Sequence, residues 1–396
     1  MISNLRTSFN AQFSEEKYEN MLANMAKTFD FKIDFKVCET PIFIPKTLQN
    51  ELVKAGNIIV EQLQNENFRS QIHKAVPKNC VVPNQEEDTT FMVVDFAICK
   101  DSKGELLPQL IELQGFPSLF GFQYFLNENY RKHYQIPENV SHYFNNHTNK
   151  SYWQTLKDAI VGNEDPEQVV LMEIEPEKQK TKIDFYCTQK YLGVNFVCLS
   201  KIKKRGNKLF YENKGREVQI KKIYNRIIFD ELALKKDFKY EFDPTQEADV
   251  KWAGHPNWFF KISKFSLPFL DNPYVPKTVF VSDLKQIPED LENYVLKPLY
   301  SFAGSGVKFD VKKEMIEQIP EHEKEHYILM KKVQYEPLIQ TLDQPAKVEV
   351  RLMMVRKNGK MELLTNLIRL SKGKMMGVDF NKGMNWVGGS IGYFEK

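Results

Sequence analysis

The strongest constraint on what this chain can fold into lies near its C-terminal end, in Lys347-VEVRLMMVRKNGKMELLTNLIRL. Two long arms rich in β-branched and large apolar residues flank Asn358-Gly359, the dipeptide best suited to the left-handed residues of a tight hairpin turn. Arms of that length predict a substantial antiparallel sheet. A second hairpin is predicted upstream. Phe91-MVVDFAIC is a near-continuous apolar strand, Asp101-SKG a turn, and Leu110-IELQ the return strand.

Other stretches change period. Residues 1–75 read mostly as helix, with Leu48, Leu52, Ile58, Ile59 and Leu63 on one face after a start at Thr47. Leu119 to His133 and Val140 to Val161 are aromatic-rich and helical. From about residue 165 the pattern is strand, helix, strand: Val169-VLMEI, Lys178 to Leu192 ending at Gly193, then Val194-NFVCLS, as in a small parallel α/β domain. Ser263 to Phe269 and Glu314 to Glu325 read as helical, and Tyr294-VLKPL, Val307-KFDV and Tyr327-ILMKKV as strands. The expected fold class is therefore mixed α+β and α/β, in several domains. With 396 residues, two or three lobes with clefts between them are expected. Their predicted extents are 1–150, 151–250, 251–325 and 326–396, the last completing a core with the first.

Fifty-five Lys and Arg against 52 Asp and Glu leave a formal charge of +3, and the basic runs are short and scattered. A continuous phosphate-tracking stripe is absent, so nucleic acid is not an expected partner. The five cysteines (Cys38, Cys80, Cys99, Cys187, Cys198) show no zinc spacing, which predicts reduced thiols and a cytoplasmic setting. No leader-like apolar region and no run of the ~18 apolar residues a membrane span needs is present.

Three groups of residues carry possible chemistry. Lys297 sits on a strand and is followed by Ser301, Gly304, Ser305 and Gly306. A small-residue loop can offer backbone N–H groups to phosphates beside a lysine charge, although the order is not that of a P-loop. The alternative is a lysine beside a flexible hairpin. Asp95, Glu112 and Gln114 share a face of the first hairpin, where two carboxylates and an amide oxygen suit magnesium; the alternative is a solvated strand face. The third group is Glu349, Arg351 and Arg369 on the long hairpin, followed by Asn385 and Gly388-Gly389. Arginine can hold a phosphate or carboxylate bidentately and a glycine pair lets N–H groups approach an anion, while Glu349 and Arg351 can equally form a structural ion pair. His322 and His326 lie in the charged run Glu321-HEKEH and read as solvated, and Trp252, His255 and Trp258 as lobe-junction packing.

Taken together, Lys264…Val275-PKT, Lys297-PLYSFAGSG, Tyr327-ILMKKV, Val350-RLMMV and Leu367-IRL, with Asp95…Glu112-LQGFP placed ahead of them, resemble the ATP-grasp superfamily. They are most similar to its circularly permuted branch of glutathionylspermidine synthase-like proteins. The resemblance implies an ATP-grasp fold in permuted order, preceded in the usual order by a Rossmann-like domain corresponding to residues 165–235. Gln114 stands where the family usually has Asn, and Gly115 after it is expected to give the backbone room to compensate.

The same resemblance implies ATP and Mg2+ as cofactors. Lys264 and Lys297 would hold phosphates under the Ser301 to Gly306 loop, and Asp95, Glu112 and Gln114 would hold the metal. The backbone from Met330 through Lys331 to Val333 would meet adenine and Glu336 the ribose. Arg351, Arg369 and Asn385 would act on the transferred group. The implied activity is ligation of a small-molecule carboxylate to an amine or similar nucleophile through an acylphosphate. Alternatives are an ATP-dependent kinase or phosphotransferase on the same scaffold, and a nucleotide-binding relic without turnover.

Overall fold

Strands Ala346–Lys357 and Lys360–Ser371 pair antiparallel around Asn358 and Gly359, whose φ angles are 49° and 76°. The computed structural model describes residues 1–300, 306–373, 376 and 378–396. Strand Ala346–Lys357 lies inside a six-stranded sheet. Phe91–Lys100 flanks it on one side with Leu106–Gln114 beyond, and Lys360–Ser371 on the other with Gly388–Ser390 beyond. Val348, Val350, Leu352 and Met354 join a cluster with Met92, Val94, Phe96 and the buried residues of helix Lys46–Gln62. Met353 and Val355, on the opposite face, pack with Phe91 and Val93. Apolar contact on both faces explains why these runs read as continuously apolar rather than alternating.

Residues 1–75 are largely helical, as predicted, in Ser3–Gln12, Glu15–Phe29, Lys46–Gln62 and Glu66–Gln71. The third helix starts at Lys46, one residue before the expected Thr47, and Ile58 is only partly buried. A strand the sequence did not suggest, Ile42–Ile44, runs parallel to Gly392–Glu395 near the other end of the chain. Val140 to Val161 is not one helix: Val140–Ser141 is a short strand on that same sheet, and helix Asn149–Ile160 begins at a Thr148/Ser151 capping box.

The α/β unit is an all-parallel sheet in the order Lys251–Ala253, Lys222–Asn225, Val169–Glu173, Asn195–Cys198. Helix Lys182–Leu192 makes the crossover and ends at Gly193, φ 72°. The first and third strands are neighbours, so the sheet has the switch point of doubly wound folds between Val169–Glu173 and Lys222–Asn225. A smaller antiparallel sheet places Tyr327–Lys331 between Thr278–Phe280 and Tyr294–Pro298. The strand expected at Val307 is reduced to a bridge between Leu296 and Lys308. The expected charged helix is split by Pro320 into Lys313–Glu317 and a 3-10 turn, Glu321–His326. No helix among the described residues is long and apolar enough to cross a membrane.

Candidate functional site

The register of the central sheet sets Asp95 between Arg351 on one neighbouring strand and Glu112 on the other. Glu349, two residues before Arg351, shares its face and stands opposite Arg369. Four strands thus bring three carboxylates and two guanidinium groups to one patch. Arg351 donates from Nε to Asp95 Oδ1 at 2.6 Å and from a terminal nitrogen to Oδ2 at 2.7 Å. Arg369 donates to the same Oδ2 at 2.7 Å and also pairs with Glu349 Oε1. The Tyr335 hydroxyl donates to the other Glu349 oxygen at 3.0 Å.

Asp95 and Glu349 are almost wholly buried, and buried carboxylates persist only when paired in this way. Burial works against ionised Asp95, but Arg351 and Arg369 outweigh it and hold its carboxyl below the usual range. At Glu349 burial prevails, aided by the Asp95 charge and opposed by Arg369, and its carboxyl is lifted. Arg369 is the more exposed cation of the patch. Its side chain is 37% exposed against 9% for Arg351, and its Nε has no hydrogen-bond partner among the described residues.

Two lysines lie near this patch, Lys297 on the smaller sheet and Lys264 on the 3-10 turn Lys264–Phe269. Lys297 Nζ donates to the Ile111 carbonyl at 3.2 Å and lies 3.2 Å from Met330 Sδ. That carbonyl is available because the acidic hairpin bulges there: Asp95 opposes Glu112 while Phe96 opposes Leu110, leaving Ile111 outside the ladder. Lys264 Nζ donates to the Pro298 carbonyl at 3.0 Å. Burial pushes the Lys297 ammonium down to about 8; Glu112 and Glu349 draw it back up and Lys264 pushes it further down. Lys264, Lys297, Glu112, Glu349, Arg369 and Asp95 therefore share one electrostatic neighbourhood.

The remaining expected residues fall as follows. Ser301, Gly304 and Ser305 lie outside the described residues. Gly306 has φ 72° and turns back towards Pro298, whose Cγ would lie 3.0 Å from an added Cβ. Val333 is partly buried against the main core, and the exposed Lys331 lies 5.8 Å from the Tyr294 ring. Glu336 pairs with Lys100 at 2.6 Å. Asn385 is exposed, its carbonyl accepting from Lys372 Nζ at 2.9 Å, and joins none of the contacts of the Asp95 patch among the described residues. Trp252 and His255 pack at 5.5 Å, and His255 bonds the Pro83 carbonyl.

Three local expectations need correction. Gly388-Gly389 does not present its N–H groups to an anion. Gly389 donates to the Lys36 carbonyl at 2.9 Å, and a Cβ on Gly388 would meet that oxygen at 2.4 Å, so the pair lets two backbones touch. Gly115 is not a source of freedom for Gln114. Its N–H bonds the Ile262 carbonyl at 2.7 Å, and an added Cβ would stand 2.4 Å from the Trp258 carbonyl. Glu349 and Arg351 are not each other's ion-pair partners: Glu349 takes Arg369, and Arg351 takes Asp95. No group of three or more Asp, Glu, His or Cys side chains among the described residues converges to hold a metal ion.

A polar cluster that sequence reasoning missed sits at the switch point of the parallel sheet. Glu173 and Asn225 end neighbouring strands, and Arg226 follows. Arg226 pairs with Asp184 at 2.7 Å, both side chains being buried, and its Nε has no hydrogen-bond partner among the described residues. Its guanidinium lies 5.6 Å from the Phe116 ring and 5.3 Å from the Phe185 ring, so the cluster adjoins the end of the acidic hairpin. Burial pushes the Glu173 carboxyl up to about 8, with Arg226 opposing. The available signal was positional, since strand ends at such a switch point are where open α/β sheets bind ligands. A cavity of about 1260 Å³ between helix Lys46–Gln62 and residues 138–150 contains none of these residues.

Among solved structures, the fold matches a glutathione synthetase-like effector from Globodera pallida, determined in its apo form. The TM-score is 0.58 over 96% of each chain, at 11% sequence identity. No family model matches the sequence, and no curated protein does. The likeness is one of fold: a mixed α+β chain with several sheets, compatible with a glutathione synthetase-like architecture.

Proposed function

We propose that this chain binds ATP with magnesium between the smaller antiparallel sheet and the central sheet, and joins a carboxylate to an amine. The observation that carries this reading is the partly buried Lys297 ammonium, held against the Ile111 carbonyl of the acidic hairpin and within the electrostatic reach of Lys264, Glu112 and Glu349. A partly buried lysine with a lowered pKa stays poorly compensated until an anion arrives, and a polyphosphate is an anion of matching reach. The likeness to a glutathione synthetase-like effector supports an ATP-grasp reading. The permuted order rests on the cyclic sequence of the motifs, with the acidic hairpin ahead of the lysine and arginine strands.

Under this reading Lys264 and Lys297 hold the phosphates, the segment from Lys331 to Val333 borders the base, and Glu336 exchanges Lys100 for the ribose. Magnesium, which commonly takes one or two protein ligands plus substrate phosphates, fits Glu112 and Gln114. It does not fit Asp95, whose two oxygens are engaged by Arg351 and Arg369. When bound, the metal would neutralise phosphate charge. Arg226, at the switch point, anchors the carboxylate substrate.

In the reaction a substrate carboxylate oxygen attacks the γ-phosphorus and the bond to ADP breaks. The amine then attacks the acylphosphate carbonyl, phosphate leaves and the nitrogen loses a proton. The protein's contribution is positioning and charge neutralisation. A second reading, nucleotide binding without turnover, is favoured by the closure of Asp95 against two arginines and by Gln114 in place of Asn. The deciding experiment incubates the full chain with Mg-ATP and panels of amino acids, short peptides and polyamines. ADP release that requires both a carboxylate and an amine supports ligation. Saturable ATP binding without release supports the second reading, and absence of ATP binding overturns both.

A further inference from the structure

We infer that Tyr335, resting on the nucleotide reading above, is a positioning residue that aims Arg369 through Glu349, so that the stance of the smaller sheet sets the aim of the more exposed cation of the patch. Arg351 spends its Nε and a terminal nitrogen on Asp95 and is nearly buried. Arg369 is the member of the pair free to meet a ligand, yet its position is fixed by what Glu349 and Asp95 ask of it. Glu349 is shared: Arg369 holds one oxygen, Tyr335 holds the other, and its charge acts on Lys297 of the smaller sheet.

The location of Tyr335 gives this contact its consequence. Lys332 is tied to the smaller sheet's side, its N–H on the Asn293 carbonyl at 2.8 Å and its Nζ on the Glu292 carbonyl at 2.5 Å. Glu336 is tied to the central sheet, its N–H on the Ile98 carbonyl at 3.0 Å and its carboxylate on Lys100 at 2.6 Å. Tyr335 lies in the hand-over between the two. A shift of the smaller sheet moves the hydroxyl, and a buried carboxylate that loses a donor must find another. The donor already in place is Arg369, which would turn further onto Glu349 and withdraw its exposed side.

The test titrates the full chain with ADP and with the non-hydrolysable triphosphate AMP-PNP, each with magnesium, in wild type, Tyr335→Phe, Arg369→Gln and the double variant. Wild type should prefer the triphosphate and Arg369→Gln should lose that preference. Tyr335→Phe should reduce it roughly 3- to 10-fold, the net worth of one ordinary hydrogen bond. The double variant should match Arg369→Gln alone, a non-additivity that general loosening of the fold does not produce. An unchanged preference in Tyr335→Phe, or additive losses in the double variant, overturns the role of Tyr335. If wild type binds neither nucleotide, the nucleotide reading itself fails and Tyr335 loses its role with it; if wild type binds both and Arg369→Gln keeps the preference, the role of Tyr335 fails while the nucleotide reading stands. Should Tyr335→Phe not fold, Glu349→Gln keeps an oxygen for Tyr335 while dropping the charge on Arg369. It must show the same non-additivity with Arg369→Gln, and additivity overturns the role.

Discussion

Asp95 and Arg351, 256 positions apart in sequence, oppose one another on adjacent strands and are joined by two hydrogen bonds of 2.6 and 2.7 Å. With Asp95 fully enclosed, the pair is structural before it is anything else. Arg351→Ala should destabilise the fold by about 3 kcal/mol, because it leaves a buried carboxylate with Arg369 as its remaining cation. Replacing both partners, Asp95→Asn with Arg351→Met, should cost clearly less than the sum of the single changes. Urea denaturation of the three variants checks this, and equal, additive losses would contradict it.

Lys297 makes the proposed anion site sensitive to pH. Its ammonium loses its proton near pH 8 in the free protein, and a bound polyphosphate raises that value. Affinity for ATP should therefore be flat below about pH 8 and fall above it by up to tenfold per pH unit. In Lys297→Arg, which stays charged throughout, the fall should vanish. Calorimetric titration across roughly pH 7 to 9.5 reads the slope directly.

Glu173 predicts a pH dependence of stability rather than of binding. Its folded value, about 8, lies above the ordinary 4.5, so the folded state keeps a proton that the unfolded state has released. Stability should fall as pH rises from 4.5 to about 8 and level off above. Glu173→Gln should remove that slope and be the more stable protein at pH 8 by on the order of 2 kcal/mol. The two proteins should converge in denaturation midpoint towards pH 4.5.

How much of this was legible in the sequence follows from the range of each interaction. The hairpins were readable because Asn358-Gly359 and Asp101-SKG dictate their turns locally, and register then carried Asp95 opposite Glu112. The partner of Arg351 was not readable. The nearest acid, Glu349, lies two residues away on the same face, whereas the actual partner arrives on a strand 256 positions distant. Arg226 and Asp184 were invisible for the same reason, since a strand end and a helix start meet only once the parallel sheet forms. The glycines misled because a glycine signals close approach without saying to what. At Gly115 the neighbour is the Trp258 carbonyl and at Gly388 the Lys36 carbonyl, neither of them a ligand. The split at Pro320, by contrast, was locally written and overlooked.

Magnesium gives the sharpest separation of roles within the acidic hairpin. Glu112 and Gln114 lie on one face of strand Leu106–Gln114 and are only partly buried, whereas Asp95 has both oxygens bonded to guanidinium groups. The magnesium-dependent part of ATP stabilisation should therefore reside in Glu112 and Gln114. Mg-ATP at about 100 times its Kd should stabilise wild type by about 2.7 kcal/mol. Glu112→Gln should retain the portion that ATP supplies with EDTA present, through Lys264 and Lys297, and lose most of the increment that magnesium adds. Gln114→Asn tests the geometry more finely. It withdraws the amide oxygen by one methylene, and Gly115, held between the Ile262 and Trp258 carbonyls, prevents the strand end from following. The shorter side chain should therefore weaken the magnesium increment instead of restoring a better site, and Gln114→Leu should weaken it more. Thermal melts with ATP plus EDTA and with ATP plus magnesium separate the two contributions. A full magnesium increment in Glu112→Gln would remove this hairpin from the metal site.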